Sequence, residues 1–349
     1  MADAPNELLT GLLKDVSRSF YLTLRVLPNS IRPQMGLAYL LARTTDTIAD
    51  TELIPLEQRL RSLQALRDRI LGACGAPLDF SQLLGHEGSS AERALLEKCE
   101  AILTLLQELP MADRQWIREV LNLITSGQEL DLRRFAGASP SQVVALRTEA
   151  ELEDYTYRVA GCVGEFWTKI CRAHIFPKAR LDDALLLGRG VEFGKGLQLV
   201  NILRDLPTDL RKGRCYLPSE NLVAVGLAPV ELLQPANESR LRPVYRHYLD
   251  RAERYLAAGW LYTNTLPWRN ARVRLACAWP ILIGSKTLLR LRGVNMLDPQ
   301  QHVKISRREV RQILWESVLF YPWPPAWRRL FPLPIPDPGK AVASGALLP

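Results

Sequence analysis

The chain has 349 residues, with 45 Lys and Arg residues against 37 Asp and Glu residues, a formal net charge of +8 and 47% hydrophobic residues. A charged fraction of 23% without a low-complexity tract excludes general disorder and predicts a folded chain with a sizeable core. The positive charge fits nucleic acid, an anionic membrane surface or an anionic small substrate. Because zinc-finger spacing and RNA-binding aromatic motifs are absent from the sequence, we predict no nucleic-acid partner.

The cysteines and the first residues indicate the compartment. Six cysteines are spread along the chain without a Cys-x-x-Cys pair, so neither a zinc site nor a disulfide framework is predicted. The first residues, MADAPNELL, lack the basic start and apolar run of a secretory signal. No run reaches the ~20 apolar residues that a membrane-spanning helix needs. These features predict a cytoplasmic location.

Apolar residues recur at helical spacing along most of the chain, whereas alternating β-branched runs bounded by turns are nearly absent. The pattern predicts an all-α fold of roughly ten helical segments. Runs rich in Pro and Gly separate the segments, at residues 28–33, 72–77, 85–90, 137–140, 177, 213–218 and 229–235. None of these runs is typical of a flexible linker, so we expect a single domain.

Residues 311–349 differ in composition, since aromatic residues interleave there with Pro and Arg. The aromatic residues are Trp315, Phe320, Tyr321, Trp323, Trp327 and Phe331. Aromatic rings beside Arg are typical of a membrane interface, and such contact would place the chain at the inner face of the membrane. The alternative is that the rings pack against the body of the protein.

Two pairs of aspartates share a four-residue spacing, Asp46 with Asp50 and Asp205 with Asp209. On a helix, residues four apart leave the same face, so each pair presents two carboxylates together. One such pair arises often by chance and is explained by a solvated face. Two pairs, each after an apolar helical run and each accompanied by Arg, favour a site for Mg²⁺ and a diphosphate. Pro207 lies within the second pair and is expected to disturb the helix there.

Four segments taken together resemble the squalene/phytoene synthase family. They are residues 17–20 (SRSF), 39–50 (YLLARTTDTIAD), 155–164 (YTYRVAGCVG) and 198–218, which begins QLVNILRD and ends RCYLP. Their order and spacing match over about residues 10 to 310. The resemblance implies the isoprenoid synthase fold for a catalytic domain over residues 1–310, with helices around a central cavity and the aspartate pairs facing each other across it. Residues 311–349 are then a C-terminal segment.

The resemblance also implies roles for individual residues. Mg²⁺ binding is implied for Asp46, Asp50, Asn201, Asp205 and Asp209. Binding of the diphosphate and the prenyl chain is implied for Arg18, Ser19, Phe20, Arg43, Val159, Gly161, Val163, Gln198 and Arg214. Catalytic roles are implied for Tyr39, Tyr155 and Arg204, with a phenol oxygen or ring face steadying a carbocation or passing a proton. From the sequence alone, ordinary helix packing is the simpler interpretation of the tyrosines and the small residues.

The implied reaction is the head-to-head condensation of two farnesyl diphosphates to presqualene diphosphate, followed by reduction to squalene with NADPH. Two segments favour the reduction, residues 277–280 (CAWP) and the basic segment 303–307 (VKISR), in which Lys304 and Arg307 would meet the NADPH phosphates. A solvated basic run before a capped helix explains the second segment equally well. The glycine-rich run 188–194 lies in a helical pattern without a preceding strand, so we predict no Rossmann site there.

Alternatives stay open at this point. A dehydrosqualene or phytoene synthase would not use NADPH, and a presqualene diphosphate synthase would stop at the cyclopropane. The alternative outside the enzymes is a basic helical protein that binds anionic membrane surfaces through its Arg residues and its aromatic C-terminal segment. No feature of the sequence indicates an oligomeric state.

Overall fold

A computed structural model describes residues 11–16, 20–84 and 89–335 of the chain. Within these ranges most of the backbone is α-helical, which confirms the all-α prediction. Residues 11–16 are helical, and the helices that follow are α1 (Phe20–Val26), α2 (Arg32–Asp50), α3 (Leu56–Leu71), α4 (Ser81–Leu84), α5 (Ser90–Glu97), α6 (Cys99–Glu108), α7 (Met111–Arg134), α8 (Glu149–Thr156), α9 (Cys162–His174), α10 (Asp183–Arg211), α11 (Ser219–Val223), α12 (Glu238–Thr265), α13 (Ala271–Leu291), α14 (Arg307–Phe320) and α15 (Pro324–Arg328).

The remaining regular elements are short. A π-helical turn, Tyr157–Gly161, joins α8 to α9, and two 3-10 turns, Pro229–Leu233 and Pro235–Asn237, precede α12. Strands β1 (Val144–Ala145) and β2 (Arg214–Cys215) pair in parallel. Six of the seven predicted breaks fall between helices, and the seventh, residues 85–90, lies partly outside the described residues.

Helix α10 is the longest of the described helices and packs against α9, α12 and α13. Two backbone approaches hold it close to its neighbours. A Cβ atom at Gly164 would lie 1.8 Å from the carbonyl oxygen of Gly190, and one at Gly194 would lie 2.2 Å from that of Ala160. The glycine-rich run 188–194 lies inside α10, as its helical pattern predicted, and Gly190 and Gly194 within it serve helix packing.

Pro207 does not end α10, since the helix continues to Arg211, and the expected disturbance is confined to one missing hydrogen bond among those described. A proline has no N–H, and the carbonyl of Leu203, four residues earlier, therefore loses its usual helical donor. The buried hydroxyl of Tyr245 on α12 donates to that carbonyl at 3.0 Å. This contact from a neighbouring helix keeps Asp205 and Asp209 on one continuous helix.

We expect Tyr245→Phe to lower the free energy of unfolding by about 1–3 kcal/mol, because the Leu203 carbonyl is then buried without a donor. Urea denaturation measures this loss. Tyr157→Phe serves as the control, since the Tyr157 hydroxyl donates to Glu165 at 3.2 Å at a partly exposed position. The double variant Pro207→Ala/Tyr245→Phe restores an N–H at residue 207 and should recover much of the loss. If Tyr245→Phe lowered the free energy of unfolding by the same amount in the Pro207→Ala variant as in the unmodified protein, this account would be contradicted.

The C-terminal segment packs many of its rings against the body, as one of the two interpretations expected. Trp327 is fully buried and stacks on Trp260 at 5.3 Å between ring centroids, and Phe331 stacks on Trp260 at 5.6 Å. Two other rings of the segment remain outside, since Trp315 is 67% exposed and Trp323 is 58% exposed. Among the helices of residues 11–16, 20–84 and 89–335, none combines the length and apolar character needed to cross a membrane.

Candidate active site

A cavity of about 430 Å³ lies between α2, α7, α8, α9 and α10. Helices α2 and α7 run in the same direction along it, because Gln34 bonds to Asp113 near their starts and Gln128 bonds to Asp46 near their ends. Both helices change along their length from apolar to polar lining residues. Towards the starts of the two helices the lining residues include Met35, Ala38, Ala42, Val120, Leu121 and Ile124, and towards their ends they are Asp46, Ala49, Asp50, Gln128, Asp131 and Leu132. The cavity is therefore apolar at one end and acidic at the other.

The first aspartate pair lies at the acidic end. Asp46 accepts a hydrogen bond from the Gln128 side chain and lies 4.0 Å from the Arg43 guanidinium. Burial within the helix bundle, together with the neighbouring charge of Asp50, raises the pKa of Asp46 to about 6, although 48% of its side chain is exposed towards the cavity. Burial also raises the pKa of Asp50. Two carboxylates enclosed at this spacing repel each other, as the sequence predicted.

The second pair projects from α10, and its two members have different surroundings. Arg204 holds the Asp205 carboxylate in a bidentate ion pair, with contacts of 2.8 and 2.5 Å. Burial and then the charge of Asp205 raise the pKa of Asp209 to about 7. Arg204, for which a catalytic role was predicted, is the ion-pair partner of Asp205 in this structure.

Tyr155 lies near one member of each aspartate pair. It is buried at the cavity wall, and its pKa is raised by burial and then by the charges of Asp131, Asp209 and Asp46. Its ring stacks on that of Tyr216 with 4.8 Å between centroids. Asp46 and Asp209 both act on this one phenol, so a carboxylate of α2 and one of α10 lie near it, although Asp209 is not among the described residues that line the cavity. The phenol stays protonated at neutral pH and presents a hydroxyl and a ring face there.

Three residues of the site were absent from the sequence-based prediction, namely Gln128, Asp131 and Tyr216. Gln128 and Asp131 lie three apart on α7, and the Tyr216 hydroxyl donates to Asp131 at 3.0 Å. Burial raises the pKa of Asp131 to about 6. The sequence feature that could have drawn attention to Gln128 and Asp131 is their spacing, three residues apart within an otherwise apolar helix face. Such spacing indicates that two side chains share a face, but it does not indicate a function.

The predicted diphosphate-binding residues are distributed unevenly. Arg214 lines the cavity beside the acidic end. Arg43 donates to Glu92 on α5 at 2.7 Å and is not among the described residues that line the cavity. Arg18 and Ser19 lie outside the described residues, as does the side chain of Phe20.

Four further residues with predicted catalytic or substrate-binding roles lie at the cavity wall. Tyr39, Val159, Val163 and Gln198 line the cavity. Gly161 does not belong to the described lining: a Cβ atom there would lie 3.1 Å from the Tyr157 ring, so this glycine serves helix packing.

The described lining of the cavity does not include Arg204, Asp205 or Asp209 of α10, and three further predicted residues also lie outside it. Asn201 is exposed on α10, one turn before Asp205. Lys304 and Arg307 are exposed at the start of α14, and the described cavity lining does not include them. Their assignment to NADPH stays a prediction.

The donor set fits Mg²⁺ shared with a bound diphosphate. Within the described residues, no group of three or more His, Cys, Asp or Glu side chains is arranged to hold a metal ion by itself. Pairs of carboxylates are what Mg²⁺ accepts when phosphate oxygens and waters complete its shell. One carboxylate oxygen of Asp131 and the amide oxygen of Gln128 are buried without a hydrogen-bond partner, which leaves oxygen donors available at the acidic end. Asp46, Asp50, Asp205 and Asp209 are the residues that would hold the ions.

The raised carboxyl pKa values predict that metal binding strengthens with pH. Asp46 and Asp209 bind protons in the folded protein up to about pH 6 and 7, so acidification removes the ligand charge. We expect divalent-ion affinity to fall about tenfold from pH 8 to pH 6, since a single group of pKa 7 accounts for that factor. Titration with Mn²⁺, followed by electron paramagnetic resonance, measures this affinity. No diphosphate is added, because its own protonation changes with pH. A Mn²⁺ affinity that does not change with pH in the unmodified protein would contradict the assignment of these aspartates as metal ligands. The same pH dependence in Asp209→Asn as in the unmodified protein would contradict it as well.

Comparison with known proteins identifies the family. The sequence pattern of the squalene/phytoene synthase family matches residues 13–309. The chain is 32% identical over 251 residues to the presqualene diphosphate synthase of Rhodopseudomonas palustris, covering 72% of this chain and 76% of that protein. It is 30% identical over 324 residues to the bifunctional lycopene cyclase/phytoene synthase of Phaeosphaeria nodorum, covering 91% of this chain but only 49% of that longer protein.

The fold is similar to that of TcSQS solved with the ligand E5700, with a TM-score of 0.73, 22% sequence identity, and coverage of 90% of this chain and 86% of that one. This likeness confirms the isoprenoid synthase fold. Members of the matched family are prenyltransferases that join two prenyl diphosphates head to head. An acidic and apolar cavity on this fold, together with a match over residues 13–309, shows that the chain belongs to the squalene/phytoene synthase family.

Proposed function

We propose that the protein condenses two farnesyl diphosphates head to head to presqualene diphosphate, releasing inorganic diphosphate. The observation that carries the proposal is the single cavity of α2 and α7 with an acidic end and an apolar end. Such a cavity suits an amphiphilic substrate with an anionic head and a hydrocarbon chain. The similarity to the presqualene diphosphate synthase of Rhodopseudomonas palustris supports this choice of product.

Each end of the cavity has its own task in this reaction. Bound Mg²⁺ would supply positive charge that stabilises the departing diphosphate as the C–O bond breaks. The aspartates orient the head group, and Arg214 adds a permanently charged guanidinium beside it. The apolar residues of α2 and α7 exclude water, which would otherwise quench the allylic cation. The neutral Tyr155 phenol and the Tyr216 ring stacked on it lie where they can steady a cation.

Incubation with farnesyl diphosphate and Mg²⁺, with and without NADPH, tests the proposal by mass spectrometry of the products. We expect presqualene diphosphate and inorganic diphosphate without NADPH. Geranylgeranyl diphosphate in a parallel reaction distinguishes a phytoene synthase. Absence of diphosphate release from either substrate would reject the enzymatic proposal and favour the non-catalytic membrane-binding alternative.

A second candidate function adds reduction of presqualene diphosphate to squalene with NADPH. The resemblance of residues 303–307 to a basic NADPH-associated segment favours it, and both Lys304 and Arg307 are exposed to solvent. Squalene formed only with NADPH, and lost in Lys304→Gln/Arg307→Gln while presqualene diphosphate persists, would support the reductive step. Presqualene diphosphate as the sole product under both conditions would reject it.

We also propose that the outer face of α14 contacts an anionic membrane surface. Trp315, Val318, Leu319 and Trp323 are between 42% and 67% exposed. Arg308 and Arg311 are exposed on the same face of α14, two turns and one turn before Trp315, respectively. Arg charges attract anionic lipid head groups, and Trp rings insert at the interface. A prenyl substrate and its product would be delivered and removed through the bilayer. The cytoplasmic location predicted from the sequence stays part of this proposal.

Vesicle flotation tests the membrane contact. We expect binding to vesicles of phosphatidylglycerol and phosphatidylcholine, weaker binding to phosphatidylcholine alone, and loss of binding in Trp315→Ser/Trp323→Ser. Met111→Ser is the matched control, since Met111 is 77% exposed at the start of α7. Unchanged flotation of the double Trp variant would reject this face as the membrane contact, and a change only in oligomeric state would assign it to a second copy of the chain.

A further inference from the structure

A second pocket, of about 400 Å³, adjoins the active-site cavity. We call it the basic pocket, because its charged lining residues are Glu52, Arg59, Arg211, Lys212 and Arg214. Arg214 and Leu132 line both the basic pocket and the active-site cavity, so the two spaces share a wall. A water molecule takes about 30 Å³ in the liquid, which leaves room for a small hydrated anion.

Four cations and one carboxylate line this pocket, and Asp50 of the adjoining cavity also lies near three of the cations, Arg59, Lys212 and Arg214. Lys212 Nζ lies 2.9 Å from a Glu52 carboxylate oxygen, and the Arg214 guanidinium lies 3.7 Å from the same oxygen. Burial and then the charge of Arg214 lower the pKa of Arg59, so these two guanidinium groups lie close enough to repel each other. A cluster with this excess of positive charge favours an anion of more than one negative charge.

Some of the hydrogen-bond donors in the basic pocket have no acceptor among the residues that the structure describes. Arg59 donates from Nη1 to the Ala49 carbonyl at 2.9 Å, while its Nε is buried without an acceptor. Arg211 is held in place by the Pro299 carbonyl at 2.9 Å. An arginine has five N–H donors in a fork that matches phosphate oxygens. The pocket therefore offers positioned, incompletely satisfied donors to an oxyanion.

The backbone fixes two of the cations. Gly213 has φ of +76°, and a Cβ atom there would lie 2.3 Å from the backbone oxygen of Ser139. Only glycine permits this close approach of the chain, and it places Lys212 and Arg214 on either side of residue 213. The pairing of β2 with β1 then anchors Arg214 directly.

We infer that the basic pocket receives the inorganic diphosphate released by the reaction, an inference that rests on the proposed function. Heterolysis of the C–O bond leaves the electron pair on diphosphate, and return of that anion to the allylic cation would regenerate substrate. Arg214 lines both spaces, so an anion held by its guanidinium lies next to the basic pocket. Glu52 occupies the cation cluster in the absence of the anion and is displaced by it. Movement of the leaving group behind Arg214 keeps it away from the cation.

Calorimetric titration of inorganic diphosphate without divalent ions tests the pocket itself, because the aspartate site then repels anions. We expect binding that weakens at least tenfold in Arg59→Gln and in Lys212→Gln. Arg61→Gln is the matched control, since Arg61 is exposed on the same helix as Arg59. Unaltered binding in both variants, or no binding by the unmodified protein, would overturn the inference. The half-exposed Lys212 is replaceable without disturbing the core.

Inhibition of turnover by added diphosphate identifies the source of the anion. We expect the inhibition constant to rise at least tenfold in Arg59→Gln, with the KM for farnesyl diphosphate changed less than twofold. An equal rise in KM would instead assign the pocket to the substrate's own diphosphate and overturn the leaving-group assignment. If the unmodified protein released no diphosphate from any prenyl substrate, the proposed function would fail, whereas the metal-free titration would still decide whether the pocket binds diphosphate.

Discussion

Asp46→Asn is expected to reduce formation of presqualene diphosphate by on the order of 100-fold or more while leaving the protein folded. The substitution removes one carboxylate from the acidic end but keeps an oxygen that accepts the Gln128 hydrogen bond. The loss therefore reports on charge rather than on shape. Asp205→Asn should have a similar effect on turnover, because it removes a carboxylate from the second pair. Product analysis by mass spectrometry measures both.

Melting temperature separates this effect from unfolding. The pKa of Asp46 is raised to about 6 by folding, so the ionised group opposes folding as the pH rises through that value. Asn lacks this charge, and at pH 8 the Asp46→Asn variant should melt at the same temperature as the unmodified protein or above it. Asp68→Asn, on the exposed face of α3, is the control that should retain full activity. Near-normal turnover in both Asp46→Asn and Asp205→Asn would reject the proposed site.

Gly164→Ala is expected to have the largest effect on stability. Its Cβ atom would lie 1.8 Å from the carbonyl oxygen of Gly190 and 2.5 Å from the carbonyl carbon, and both atoms belong to backbone that cannot rotate away. Helices α9 and α10 must separate to accept the methyl group, at a cost of about 3 kcal/mol or more. Because Val163 and Gln198 line the cavity from these two helices, activity should fall as well.

The control for this prediction is Gly188→Ala, at a position on α10 where a Cβ atom meets nothing within 4 Å. There the gain in helix propensity should stabilise the protein by about 1 kcal/mol. Chemical denaturation of the two variants side by side measures the difference in free energy of unfolding. If Gly164→Ala proved as stable as Gly188→Ala, the close approach of α9 and α10 would be wrong.

Local patterns were sufficient for much of the architecture. Helical periodicity and the Pro- and Gly-rich runs predicted the all-α fold and the breaks between helices, because these signals depend on residues close in the chain. They did not identify the donor that replaces the missing N–H of Pro207 within α10, since that donor, Tyr245, lies on another helix. Local helix-breaking rules fail where a tertiary contact replaces the missing hydrogen bond.

The sequence by itself determined the two aspartate pairs, their helical spacing and the Arg residues near them, because four-residue spacing places side chains on one face whatever the tertiary fold. The tertiary structure alone decided what surrounds them. It brings Gln128 to Asp46 across 82 residues of chain, pairs Arg43 with Glu92, and holds Asp205 against Arg204. Spacing fixes which side chains project together from one helix, whereas burial and the charges contributed by other helices set their pKa values and their partners.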